Sequence, residues 1–518
     1  MSSSIKPWLR RSWLIVVVVF VCFCLPFLFF RSAAPVQRIR GWFTDTTSDL
    51  SEKVGKVHPE YDVVLPTPPP EIPGTFDWHT TSSFNPVRYE DVANRSAQDL
   101  CSAWPAHLLA DIQPVLKTGH GVLDARVGPQ LHSVSACLIN LLIFSDTEEH
   151  YKGHNLIDVI QDIPRHLRDE EYELQSWRAG ALGDGTATRD QAWKTDKFKF
   201  LAGVSRAWQM RPDRKWYVFY EADTYIVWDN IFRLLEHFDP DEPHYFGSPT
   251  QGVQKTWFGY GGTGYVISRE AMRRLVREDY DENGTYLGSR LTERNWHNLH
   301  NDCCGDSVLG WALIRENVTL EGLWPMFTPT PPHKTPFSGS RHQWCEPVIS
   351  MHKPSEDDII GLWRWQWEHR TADRPLLYRD LAIRYFDIYN LTTRADWSPL
   401  NWDSSLAKFP SDFYDHDPHE SADACSSACN ASEKCFTWMY HLRQCFHGRS
   451  IRWGTHMEPG LEFKDKGKDS ELVKDDGHWT EADLRFMAGW NHKKIKAWMD
   501  ERPCEEVEWV RPSTSRIF

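Results

Sequence analysis

The chain has no basic block outside its N-terminus. Lys and Arg number 58 against 72 Asp and Glu, and the formal net charge is −14. That balance argues against nucleic acid as a partner. It has no second long apolar run after the one near its start, so only one membrane span is available to it. The spacing of a zinc site is also missing: Cys303 and Cys304 are adjacent, which does not give the usual ligand separation. Residues 31–85 lack sustained hydrophobic periodicity and are punctuated by Pro66, Pro68, Pro69, Pro70 and Pro73. Such a stretch cannot bury enough apolar surface to offset its ordering entropy, and reads as a stem. What remains, at 41% hydrophobic and 25% charged over 518 residues, has a globular composition and the length of two or three units.

Trp13 to Phe30 is an uncharged apolar run that would span about 27 Å as a helix. Lys6, Arg10 and Arg11 precede it. The short leading tail (1–12) favours a signal anchor with the body on the lumenal side. A signal peptide cleaved near Ser32-Ala33-Ala34 is the alternative. Beyond the run lie ten cysteines, an even number that suits disulfides in an oxidising compartment. Sequons at Asn94, Asn283, Asn317, Asn390 and Asn430 would be open to glycosylation there.

The body is organised around Lys215 to Asn230. Trp216 to Tyr220 reads as a strand buried on both faces. It ends in Glu221 and Asp223, placed at the usual ligand crevice of an open α/β sheet. Carboxylates spaced i, i+2 in extended chain point the same way and could share one divalent cation; the plainer reading is a solvated cap. An earlier strand is expected over Ser135 to Phe144, ending at Ser145-Asp146. There Asp146 either meets a nucleotide base or ribose, or simply forms a turn. A short helix is expected over Asn155 to Ile163, and a longer one over Asp190 to Gln209 with Trp193, Phe200, Leu201, Val204 and Trp208 on its apolar face. Lys194 and Lys197 fall on the polar side, to be solvated or to reach a phosphate. Asp229 is a candidate cap for the next helix, and Tyr245 to Gly247 a candidate edge strand. Gly259, Gly261, Gly262 and Gly264 permit close backbone approach. Asp306 opens an apolar helix, where an acid commonly caps. His352 ends a β-like run, and Ser355 to Arg370 looks helical.

Three motifs occur in order: Glu221-Ala222-Asp223-Thr224-Tyr225, Tyr260-Gly261-Gly262-Thr263-Gly264-Tyr265, and Gly305-Asp306-Ser307-Val308-Leu309-Gly310. Together they resemble glycosyltransferase family 31, nearest to its core 1 β1,3-galactosyltransferase branch and more distantly to fringe. The resemblance covers roughly Ser133 to Pro354. It implies an α/β fold of the GT-A (Rossmann-like) nucleotide-sugar transferase type. It implies a UDP-sugar donor, a glycan or glycoprotein acceptor, inversion to a β1,3 linkage, and Golgi or endoplasmic reticulum residence as a type II membrane protein. By the same resemblance Glu221, Asp223 and His352 (in Ile349-Ser350-Met351-His352) would hold Mn²⁺. Gly261 and Gly262 would border the donor and acceptor pocket. Asp306 would be the catalytic base, with Asp302 in reserve. The sequence departs from the family pattern at Glu221 and Ala222, where aspartates are usual, and at Gly305, where an acid is usual.

From about Pro399 the chain becomes Cys-dense, with Cys425, Cys429, Cys435 and Cys445. Their spacing resembles a PAN or apple-type module, a small α+β unit that binds proteins or sugars. The expected division is therefore tail 1–12, membrane helix 13–30, stem 31–85, GT-A domain 86–398, PAN-like module 399–465 and helical tail 466–518, the last from helical spacing over Thr480 to Met499. A non-catalytic, membrane-anchored binding protein acting through the Cys-dense module is the competing class.

Overall fold

The structure, a computed structural model, describes residues 86–181, 188–337, 343–371, 374–399, 407–411, 416–459 and 479–516. The expected cytoplasmic tail, membrane run and stem lie outside the described residues. Among those described, no helix is long and apolar enough to cross a membrane.

The strands of the large body are β1 (Ile112–Lys117), β2 (Leu142–Ser145), β3 (Glu149–Tyr151), β4 (His154–Asp158), β5 (Trp216–Glu221), β6 (Thr224–Ile226), β7 (Tyr245–Gly247), β8 (Pro249–Gln251), β9 (Trp257–Gly259), β10 (Tyr265–Ser268), β11 (Glu321–Gly322), β12 (Phe327–Thr328) and β13 (Ser350–His352). Eight of them form a mixed sheet in the order β11-β7-β10-β5-β1-β2-β4-β3. Its middle, β5-β1-β2-β4, is parallel. Apolar side chains pack on both faces, Leu116, Val218 and Tyr220 on one and Val115, Tyr217 and Phe219 on the other. Burial on both sides is why Trp216 to Tyr220 carries no polar alternation. This is a mixed α/β architecture with a large central sheet, as expected from the motifs.

Several local expectations are corrected. Ser135 to Phe144 is a strand only from Leu142; the preceding residues are turns. Ser135 is committed to hydrogen bonds with Gln130 and Tyr220, and Cys137 to a disulfide with Cys101. The strand that lies between β5 and β2 is β1, which Pro114 disguises in the sequence, since proline inside a central strand is unusual. Asn155 to Ile163 is β4 followed by a 3₁₀ turn, Val159–Asp162, because it pairs with β2. The long helix is two, Arg189–Asp196 and Lys199–Met210, and Trp193 is 60% exposed rather than core. Lys197 is buried, paired with Glu173 and donating to the carbonyls of His300 and Asp302. Asp229 does not cap its helix; it makes a two-pronged ion pair with Arg370. Tyr245–Gly247 lies inside the sheet between β10 and β11, not at its edge.

All ten cysteines beyond residue 100 are paired, as Cys101–Cys137, Cys303–Cys304, Cys345–Cys504, Cys425–Cys445 and Cys429–Cys435. In the C-terminal part, helix Ala422–Ala431 buries Cys425 and Cys429, and the Cys425 bridge ties it to strand Gln444–Gly448. That strand belongs to a five-stranded sheet with Thr437–His441, Ala407–Lys408, Arg394–Ala395 and Met487–Trp490. The tail is therefore not wholly helical. Its helical spacing breaks at Gly489, whose lack of a side chain lets the Trp438 ring lie against the backbone, and Met487–Trp490 pairs along Thr437 to Tyr440.

Candidate active site

Parallel strands that end in register deliver their last side chains to one edge. Lys117 at the end of β1 is the register partner of Glu221 at the end of β5, and the two form an ion pair at 3.0 Å. Two residues on, Asp223 is reached from a different direction. β13 runs antiparallel to β6 and pairs His352 with Thr224. This sets His352 Nε2 3.6 Å from Asp223 Oδ1. Potential ligand atoms of Glu221, Asp223 and His352 all lie within 4.8 Å of one another.

Asp223 Oδ1 is buried and has no hydrogen-bond partner, although an unpaired buried carboxylate oxygen is costly. An orphaned oxygen facing an imidazole and a second carboxylate is what a cation site requires. Two carboxylates and one imidazole suit a divalent ion such as Mn²⁺, so the residues fit that ligand. Burial pushes the Asp223 carboxyl up, but the neighbouring His352, Arg126 and Lys353 outweigh it and hold it below the ordinary range. The other candidate cluster, Asp302 with Cys303 and Cys304, has its two sulfurs joined to each other and is not a comparable ligand set.

The glycine turn links this trio to Asp306. Thr224 Oγ1 donates to the carbonyl of Gly262 at 2.8 Å, which presses the turn onto the acidic tip. A Cβ on Gly262 would lie 2.5 Å from His352 Cε1, so only glycine allows the imidazole its position. The preceding amide, Gly261 N–H, donates to Asp306 Oδ2 at 2.7 Å. Consecutive residues thus touch His352 and Asp306, placing the acid beside the trio. Asp306 is in the first turn of helix Gly305–Arg315, whose cap position is Cys304. Its other oxygen accepts from the Ser307 amide at 2.9 Å. Burial raises the Asp306 carboxyl to about 6, against the lowering effect of the Gly261 hydrogen bond. A carboxyl that titrates near neutrality is suited to proton transfer. Asp302 is elsewhere engaged, accepting from Cys304 N–H and Ser307 O–H. Gly305 also has a steric reason: a Cβ there would meet the carbonyl oxygen of Lys197 at 2.2 Å, so the acid usual in the family has no room.

Asp146 follows β2 at the same sheet edge but is fully buried. It accepts from the His120 amide at 3.0 Å and faces Lys199 at 3.2 Å. Its carboxylate is directed into the body. Asp196 lies between Lys199 and Lys117, which extends the alternation of charges from Asp146 to Glu221. Burial disfavours the Lys117 ammonium, but Asp196 and Glu221 more than offset it and hold the group protonated. Sequence reasoning missed Lys117, Asp196, Lys199 and Arg126. The available signal for Lys117 was a lysine closing an apolar run, obscured by Pro114.

The fold is mixed α/β with a large central sheet, and Glu221 stands at the carboxyl end of one of its parallel strands, the edge where open sheets of this kind commonly hold ligands. Residues 185–320 match the family model described as Fringe-like, so the chain carries a Fringe-like domain. That stretch contains Glu221, Asp223, Gly261, Gly262 and Asp306. Over 110 residues the chain is 38% identical to glycoprotein-N-acetylgalactosamine 3-beta-galactosyltransferase 1 of Xenopus laevis, a match covering 21% of this chain and 28% of that relative. The chain thus spans little more than a quarter of that relative's length.

Proposed function

We propose that this protein is an inverting, divalent-cation-dependent glycosyltransferase. It moves a hexose, galactose by analogy with the relative's name, from a UDP-sugar to a hydroxyl of a glycan or glycoprotein in β1,3 linkage. The observation that carries the reading is the glycine turn whose adjacent residues touch His352 and Asp306. It supports a raised-pKa carboxylate acting beside three residues that could hold a cation. Glu221, Asp223 and His352 would hold the Mn²⁺, which when bound supplies Lewis acidity to the leaving diphosphate. Asp306 takes the proton of the acceptor hydroxyl as that oxygen bonds to the anomeric carbon. The anomeric carbon's bond to the β-phosphate oxygen breaks, and its electron pair leaves with UDP. The apolar run 13–30 and the five disulfides support a lumenal body anchored in a Golgi or endoplasmic reticulum membrane.

The test is UDP release from a panel of UDP-sugars by purified full-length protein, with Mn²⁺ and with EDTA. Release with one donor, stimulated by a glycan acceptor and abolished by EDTA, is the expected result. Neither release nor UDP binding with any donor would overturn the proposal and favour a binding protein acting through the Cys-dense sheet.

A further inference from the structure

The trio explains how a cation is held but leaves the diphosphate itself without a protein partner. Arg126 lies in a π-helical turn, Leu123–Val127, that leads into the short helix Gly128–Leu131. Four residues on, the buried Gln130 side chain donates to the carbonyls of Ala222 and Thr224 at 3.3 and 2.6 Å. Gln130 thereby fastens this segment to the backbone on either side of Asp223. Residues i and i+4 of a helical segment share a face, so fastening Gln130 directs Arg126 to the same acidic tip. Its Nη1 stands 2.9 Å from Asp223 Oδ2, the oxygen turned away from His352.

The Arg126 side chain is 36% exposed, so the ion pair with Asp223 does not close it off from solvent. A second cation, Lys353, adds its charge to the same carboxylate. It is exposed and held at a φ of 55° immediately after His352. Two cations therefore face one carboxylate whose remaining oxygen is directed at the cation site. A planar fork of donors is matched to phosphate oxygens.

We propose that Arg126 is the protein's own diphosphate ligand: it binds the phosphate oxygens of the nucleotide-sugar and stabilises the charge that collects on UDP as the glycosidic bond breaks. The assignment rests on the transferase reading above and adds a residue to it.

Full-length wild-type protein and Arg126→Gln are titrated with UDP and with uridine in Mn²⁺. Mn²⁺ binding without nucleotide is measured by spin resonance, and donor turnover is followed in parallel. In the variant, UDP affinity falls about tenfold while uridine and Mn²⁺ affinities hold. The kcat falls on the order of a hundredfold, the scale seen when one preorganised donor to a developing anion is removed. Equal UDP affinity in the two proteins overturns the assignment. So does a parallel fall in uridine or Mn²⁺ affinity, which would make Arg126 a support for Asp223 only. A wild type that releases UDP alongside an unimpaired variant refutes Arg126 alone. A wild type that neither binds nor releases UDP refutes the transferase reading with it.

Discussion

Asp306→Asn separates a catalytic carboxylate from a structural one. The Asp306 carboxyl rises from an ordinary 3.8 to about 6, roughly two pH units at about 1.4 kcal/mol each, or about 3 kcal/mol. The sign follows from linkage. An acid whose folded value lies above its unfolded value favours the fold fully below the unfolded value, and that contribution is lost as pH rises through the folded one. The wild type thus gives up stability between about pH 4 and 6 on account of this group, and carries the whole loss at pH 7.5. Asparagine removes that cost. It also turns an amide N–H₂ toward one of the two backbone donors, Gly261 or Ser307, a mismatch of about 1–3 kcal/mol. The net change at pH 7.5 is therefore small, between neutral and about 2 kcal/mol stabilising. The shift in thermal midpoint relative to wild type should grow more favourable from pH 4.5 to 7.5. Transfer, by contrast, should fall 10²- to 10⁴-fold, as expected for loss of a general base, with UDP binding kept. In the wild type, transfer should decline below about pH 6 with the slope of a single protonation. A variant that folds, binds UDP and still transfers at the wild-type rate would refute the assignment of Asp306. A variant that loses UDP binding and its fold together would make Asp306 a structural residue.

Two further substitutions test the packing that sets the geometry. Gly262→Ala should leave the far-ultraviolet circular dichroism intact while cutting Mn²⁺-dependent UDP release at least tenfold, because the new methyl would occupy space held by the His352 ring. Unchanged release at limiting Mn²⁺ would show that the ring is free to move. Gln130→Leu removes the buried donor shared by the carbonyls of Ala222 and Thr224. It should cost about 1–3 kcal/mol, read as a lowered denaturation midpoint, and a wild-type midpoint would show that the acidic tip does not depend on that clamp.

The sequence determined by itself the elements whose chemistry is local. A short run of aromatic and β-branched residues with no polar alternation reads as a strand buried on both faces, and Trp216–Glu221 is that strand. The order of the three motifs was enough to identify the Fringe-like stretch. The helix expected over Ser355 to Arg370 was legible too, and it is Glu356–His369 with Ser355 as its cap, satisfied by a neighbour three residues away. Tertiary structure alone decided which charges meet. Lys117 and Glu221 face each other because two parallel strands share a register, and Arg126 reaches Asp223 because a glutamine four residues on bonds carbonyls more than ninety positions away. Lys197 and Lys194 look alike in the sequence, yet one is buried against carbonyls of a distant loop while the other pairs at the surface with Asp190. Periodicity reports which face of an element is apolar; it carries nothing about what the rest of the chain places against that face, and the partners of buried charges are set there.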